Sequence, residues 1–180
     1  MPFKVIESEI PDVKYIESEI YNDERGFFLE MFKKNALDFI PEIIQVNHSF
    51  SRRGVIRGLH YQVNPKAQGK LVTVVSGRIY DVAVDIRKGS PWYGKFVAYE
   101  LVPGRLLWIP PGFAHGFQAM ENSNVVYFIT HSEYSPNHEA GISWNDPTLK
   151  IPWPIEEKII SEKDKKWPNL ENARNNFEYQ

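Results

Sequence analysis

Apolar and polar positions alternate at a period of two through most of this chain, the spacing of strands with one covered face. The segment IESEI occurs at 6–10 and again at 16–20, with Pro11 and Asp12 between as a turn. Two copies of five residues are too few for a solenoid and predict two short strands. Residues 22–26 (NDERG) punctuate the chain before the aromatic run 27–32, and 33–39 is the first predicted helix, halted by Pro41. From Ile43 onward the pattern is β. Runs at 55–61, 70–75, 78–86, 93–101, 106–109 and 124–131, separated by Gly, Pro, Asn or Ser, predict a sandwich or barrel. The clearest hairpin joins 72–75 to 78–86 across Ser76 and Gly77. In its second strand Val82, Val84 and Ile86 share one face, and Asp81, Ala83 and Asp85 share the other. Those two carboxylates either line a cavity or belong to a solvated outer face. Beyond Pro136 the chain is irregular, and the charge-rich stretch 156–166 predicts an exposed helix started by Ser161. Trp153, Ile159, Ile160 and Trp167 would dock this tail on the sheets, so 1–180 reads as a single domain.

Composition narrows the function. At 180 residues with 42% hydrophobic side chains the chain can bury one sizeable core. Its 21 Lys and Arg against 23 Asp and Glu leave a formal charge of -2, without the basic excess that nucleic acid or an anionic membrane attracts, so neither is an expected partner. There is no cysteine, which removes disulfides, thiolate nucleophiles and Cys-type zinc sites together and fits a reducing compartment, the cytoplasm. The start, MPFKVIESEI, does not read as a leader, and no stretch is long and apolar enough for a membrane helix. Aromatics make up 14% of the chain, more than such a core requires, and some are expected at a ligand surface.

The chemistry gathers around two histidines. Residues 104–115 (GRLLWIPPGFAH) have the G-x5-P-x-G-x2-H spacing of the second cupin motif, in which a Gly/Pro corner aims a histidine into a small β-barrel. A metal-binding cupin also needs His-x-His and a following Glu in its first motif; here 58–62 reads GLHYQ, with one histidine and no nearby carboxylate. That donor set leaves a transition metal short of ligands, so the expectation is a cupin-like barrel with no metal. Imidazole titrates near neutrality and suits general-base proton abstraction. His115 alone reads as well as a corner-capping side chain. His60 has Arg57 beside it, Gln45 and Asn47 upstream and Lys70 downstream, on strands that also carry Val55, Ile56, Leu59, Leu71 and Val72. So much buried cation and amide needs a partner, and a phosphorylated or otherwise anionic ligand supplies it. Arg57 and His60 stand three apart, so a regular strand sends them to opposite faces; if both reach one ligand, Gly58 should mark a bulge. Tyr127, among Val125, Val126, Phe128 and Ile129, reads by itself as core, and Ser161 with Asp164 reads as a capping box.

Taken together these segments resemble the dTDP-4-dehydrorhamnose 3,5-epimerase family of metal-independent cupins. The resemblance runs from about Tyr21 to Pro168 and is carried by 23–30 (DERGFFLE), 45–49 (QVNHS), 54–62 (GVIRGLHYQ), 68–72 (QGKLV) and 81–87 (DVAVDIR), then by Ser90-Pro91, 109–117 (IPPGFAHGF), 144–147 (WNDP) and 161–164 (SEKD). It implies a mainly β, jelly-roll sandwich or barrel with a few short helices, one at the C-terminus. The implied reaction inverts C3, C5 or both in a dTDP-linked 4-keto-6-deoxyhexose, with no cofactor and no metal. On the family pattern His60 is the base, Asp164 fixes its tautomer, Lys70 stabilises the enolate and Tyr127 reprotonates from the opposite face. Arg25, Glu30, Gln45, Asn47, Arg57, His115, Tyr134, Glu139 and Lys163 are implied around the substrate. The family also implies a homodimer in which N-terminal strands join the neighbour's sheet, for which the two IESEI segments look suitable. A metal-dependent cupin and a catalytically silent sugar-nucleotide binder are the alternatives.

Overall fold

Why the chain makes two sheets rather than a ladder of hairpins is visible in its strands. The computed structural model describes residues 2–180. The strands are β1 (Phe3–Glu7), β2 (Lys14–Ser18), β3 (Ile20–Asp23), β4 (Gly26–Leu29), β5 (Ile43–Ser51), β6 (Ile56–Gln62), β7 (Gly69–Ser76), β8 (Ile79–Asp85), β9 (Phe96–Leu101), β10 (Arg105–Ile109), β11 (Phe113–Ala119), β12 (Ser123–Thr130) and β13 (Glu139–Gly141). One sheet has the order β1-β2-β10-β7-β12-β5 and the other β13-β6-β11-β8-β9; β3 and β4 form a separate two-stranded ribbon. Among the described residues the pairings within the two large sheets are antiparallel, and many join strands distant in sequence, the pattern of a jelly-roll sandwich.

Both large sheets are covered on two faces, which is why much of the middle of the chain alternates only weakly. Between the sheets lie Val72, Val74, Ile79, Ala83, Val97, Leu101, Leu107, Ile109, Phe113, Phe117 and Val125. Outside the five-stranded sheet, Val82, Val84 and Ile86 pack under the C-terminal segment through Ile142, Leu149, Ile151, Trp153, Leu170 and Phe177. Outside the six-stranded sheet, Ile16, Leu71, Leu106 and Trp108 are covered by Leu37 and Ile40. The tail is pinned by polar groups as well. Buried Asp146 accepts from the backbone of Thr148, Leu149 and Leu170, and buried Gln118 donates to carbonyls of Gly54, Ile155 and Glu157.

Several expectations need correction. The predicted helix at 33–39 is a run of turns: Leu37 and Ile40 enter the outer core as single anchors, and so short a helix cannot sustain its own nucleation. The C-terminal helix over 156–166 is only a 3-10 turn, Asp164–Lys166, followed by another at Leu170–Asn172; a third 3-10 turn spans Pro136–His138. Residues 72–75 and 78–86 form no hairpin. β7 pairs with β10 and β12, β8 pairs with β11 and β9, and Ser76-Gly77 carries the chain from one sheet to the other. Strand β11 falls in a segment read only as a corner. The first IESEI segment contributes only its first two residues to β1, and β1 and β2 lie at the edge of this chain's own six-stranded sheet.

Candidate active site

At one end of the sandwich the two sheets part to leave a cavity of about 310 Å³. From the five-stranded sheet β6 sends in Arg57, His60 and Gln62, and β11 sends His115 and Phe117; from the six-stranded sheet β5 sends Asn47 and Ser49, β7 sends Lys70 and β12 sends Tyr127 and Ile129. Tyr134 and Glu139 close the rim.

Arg57 and His60 reach the same cavity because of Gly58. His115 lies opposite His60, whereas Phe117 lies opposite Arg57, so three steps on β6 face two on β11, the bulge that their spacing demanded. Gly58 sits at φ +135, and a Cβ there would come 2.6 Å from Gly116 Cα and 2.9 Å from the His115 carbonyl oxygen. We expect Gly58→Ala to lower stability by roughly 2–4 kcal/mol and to reduce turnover with it, read as a drop in Tm and kcat. An unchanged Tm would show that β6 tolerates a side chain there.

His60 Nε2 lies 2.7 Å from Asp164 Oδ1. The same oxygen accepts from Trp167 Nε1 at 2.9 Å, and Oδ2 accepts from the Gly58 N–H at 3.1 Å. Burial would raise the Asp164 pKa, but these donors outweigh it and hold the carboxyl below its usual range. An ionised carboxylate can only accept, so His60 Nε2 carries the proton and Nδ1 keeps the lone pair. The Ser161 hydroxyl does accept from the Asp164 backbone N–H, at 3.1 Å. The capping contact is therefore made, yet the Asp164 side chain turns to His60.

A second histidine-carboxylate pair stands beside the first. His115 Nε2 is 2.5 Å from Oδ1 of fully buried Asp81, whose Oδ2 has no hydrogen-bond partner among the described residues. Burial pushes His115 down, opposed by Asp81, and pushes Asp81 up, opposed by His115 and Lys70. Burial also brings Lys70 down to about 8, with Asp81 and Glu139 pulling the other way. On the same wall as Lys70, facing the two histidines, Tyr127 is pushed up to about 12, chiefly by burial.

The remaining candidates divide. Gln45 sits behind Asn47, donating to its Oδ1 and accepting from the Tyr134 backbone N–H. Lys163 donates to Glu139 at 2.5 Å. Arg25 and Glu30 are not brought to the cavity: Arg25 pairs with Asp23 in the β3–β4 ribbon, and Glu30 follows β4. Three residues that shape the site were missed as such. Asp81 was signalled by the two carboxylates sharing a strand face, of which Asp85 instead holds Arg87 and Ser90. Trp167 reads in the sequence only as an anchor, and Ser49 only as the last residue of the 45–49 motif.

The family model described as dTDP-4-dehydrorhamnose 3,5-epimerase matches residues 7–172. A Shigella flexneri protein of that name is 47% identical over 166 residues, covering 89% of this chain and 92% of its own. The crystal structure of dTDP-4-dehydrorhamnose 3,5-epimerase from Sulfolobus tokodaii superposes with a TM-score of 0.91 at 54% identity, covering 97% of this chain and 98% of that one. That of a Legionella pneumophila dTDP-6-deoxy-D-glucose-3,5-epimerase in complex with dTDP-4-keto-L-rhamnose gives 0.89 at 42% identity, covering 94% of each chain.

Proposed function

The chain belongs to the dTDP-4-dehydrorhamnose 3,5-epimerase family, and we propose that its cavity performs that isomerisation, inverting C3 and C5 of a dTDP-linked 4-keto-6-deoxyhexose. The observation that carries the assignment of roles is the opposition of the two walls: His60 on the five-stranded sheet, Tyr127 and Lys70 on the six-stranded one. The 4-keto group acidifies the hydrogens on C3 and C5. His60 Nδ1 removes one of them, the enolate oxygen is met by the Lys70 ammonium, and Tyr127 delivers a proton to the other face of the planar carbon. Return of the proton from the original side would restore the starting configuration, so inversion requires two groups that face each other.

Asp164 holds the His60 tautomer and stabilises the imidazolium. Asparagine there presents an N–H to at least one of the three donors that now converge on the carboxylate. We expect Asp164→Asn to lower kcat roughly 10²-fold with substrate affinity nearly kept. Loss of stability with an intact rate would reduce the Asp164 carboxylate to a structural anchor for Trp167 and the Gly58 N–H.

Arg57 and Lys163 suit the diphosphate, with Gln45, Asn47, His115, Tyr134 and Glu139 around the rest of the substrate. The exposed β3–β4 ribbon, with Phe27 and Phe28 at 59% and 65% exposure, suits a homodimer in which it carries Arg25 and Glu30 to the neighbour's cavity. Sedimentation at the mass of one chain would remove that reading. The 180 residues act as a single domain, and a cysteine-free chain using a nucleotide sugar belongs in the cytoplasm.

The deciding experiment is incubation with dTDP-4-keto-6-deoxyglucose in heavy water, with mass spectrometry and NMR of the sugar. Deuterium at C3 and C5 with inversion at both is the expected result. Label at one carbon alone would make it a single-site epimerase, and no label would mean a different keto-sugar nucleotide as substrate or a binding protein.

A further inference from the structure

Inverting two carbons of one bound sugar makes a demand that a single inversion does not: the acid must be reloaded while the cavity is still occupied. Tyr127 has one proton to give. Its ring is packed against His115 and Phe117, with centroids 6.1 and 6.4 Å away. Among the described residues its hydroxyl has one hydrogen-bond partner, the Ser49 hydroxyl at 3.1 Å. Ser49 and Tyr127 lie on paired strands, β5 and β12, and both line the cavity. β5 is the edge of its sheet and Ser49 is only half-buried, between exposed His48 and Phe50, so the serine stands where the buried phenol meets water.

We propose, resting on the reading of Tyr127 as the acid, that Ser49 is a positioning residue that aims the Tyr127 hydroxyl across the cavity and returns its proton after each inversion. As the enolate carbon takes the phenolic proton, the electron pair of its C=C bond makes the new C–H bond, the ketone re-forms and Tyr127 is left as phenolate. The Ser49 proton then moves to the phenolate oxygen while water gives one to Ser49 Oγ, so neither a serine alkoxide nor a buried phenolate persists. The His60 imidazolium loses the abstracted proton to the hydroxide so formed, and the balance closes. A phenolate walled in by burial is costly, and the Ser49 hydrogen bond and the Arg57 charge are the features that ease it.

The test separates exchange, which His60 alone can perform, from inversion, which needs Tyr127. In heavy water Ser49→Ala should still wash deuterium into C3 and C5, but the ratio of exchange to inversion should rise about tenfold and singly inverted sugar should accumulate. Ser49→Thr, which restores a hydroxyl, should bring the ratio back. An unchanged ratio in Ser49→Ala, an equal loss of exchange and inversion, or no recovery with threonine would each overturn the proposal. Tyr127→Phe is the control. If it inverts normally, the reading of Tyr127 as the acid is wrong; if it exchanges without inverting while Ser49→Ala behaves as wild type, only the role of Ser49 is lost.

Discussion

Replacing His60 with alanine should lower kcat by at least about 10³-fold, near the upper part of what a positioned general base contributes, while dTDP binding changes by no more than a few fold. The reason lies in what the side chain does and does not hold up. Its Nε2 contacts Asp164, but that carboxylate keeps two other donors, Trp167 and the Gly58 N–H, so the support survives without the ring. The ring itself is about one-third exposed toward the cavity, and its loss opens space at a wet surface rather than in the core. Stability should therefore move little. Deuterium wash-in at C3 and C5 should disappear together with inversion, because both begin with the same abstraction. This distinguishes His60 from Tyr127, whose loss should spare exchange. Near-normal turnover in His60→Ala would remove it as the base.

Much of this site was legible along the chain, and the parts that were not share a physical cause. Six of the strands were marked by β-branched and aromatic runs, and Arg57, His60 and Lys70 stood out because cations on apolar strands are costly without a ligand. Even the bulge at Gly58 followed from a spacing of three. What periodicity could not show was pairing. A turn signal at Ser76-Gly77 specifies that the chain changes direction, not which strand it meets next, and burial on both faces decided that β7 and β8 belong to different sheets. Strand β11 was hidden for the opposite reason. It runs between β6 and β8 so closely that a Cβ on Gly116 would lie 2.7 Å from Leu59 Cδ2 and 2.9 Å from the Arg57 carbonyl, so it is built partly of Gly and Ala, which weaken the β signal.

Asp164 shows how a local motif and a distant contact coexist. The hydrogen bond to the Ser161 hydroxyl makes the tight turn, and that turn aims the carboxylate at a histidine 104 residues away in sequence. Trp167 joins them because Gly141 has no side chain: a Cβ there would meet the indole ring, and Gly141 lies opposite His60 on β6. The aromatic that docks the tail is thus also a donor to the orienting carboxylate. A reading confined to nearest neighbours assigns each residue one role where the fold uses two.

Lys70→Met should lose activity and gain stability. An ammonium aimed at the enolate oxygen in a partly enclosed site is worth roughly 10²–10³ in kcat, the scale of one lost oxyanion donor, and methionine offers comparable bulk without the charge. The same burial that makes the charge effective makes it expensive: it holds the Lys70 pKa near 8, with Asp81 and Glu139 only partly compensating. Its folded pKa lies below the 10.5 of the unfolded chain, so between about pH 8 and 10.5 the unfolded state binds more protons and stability rises with pH. Below pH 8 the full cost is present, at most about 3 kcal/mol from a shift of this size. Methionine removes that cost at neutral pH, so the variant should melt higher at pH 7 and lose the rise above pH 8. The kinetic sign is opposite. Wild-type kcat/KM should fall as pH climbs through about 8 and the ammonium discharges, and the residual activity of Lys70→Met should lack that limb. Thermal melts and pH-rate profiles on the two proteins check both halves. A variant that keeps the alkaline limb would show that another group titrates there, and one that melts lower would show that Lys70 supports the sandwich rather than straining it.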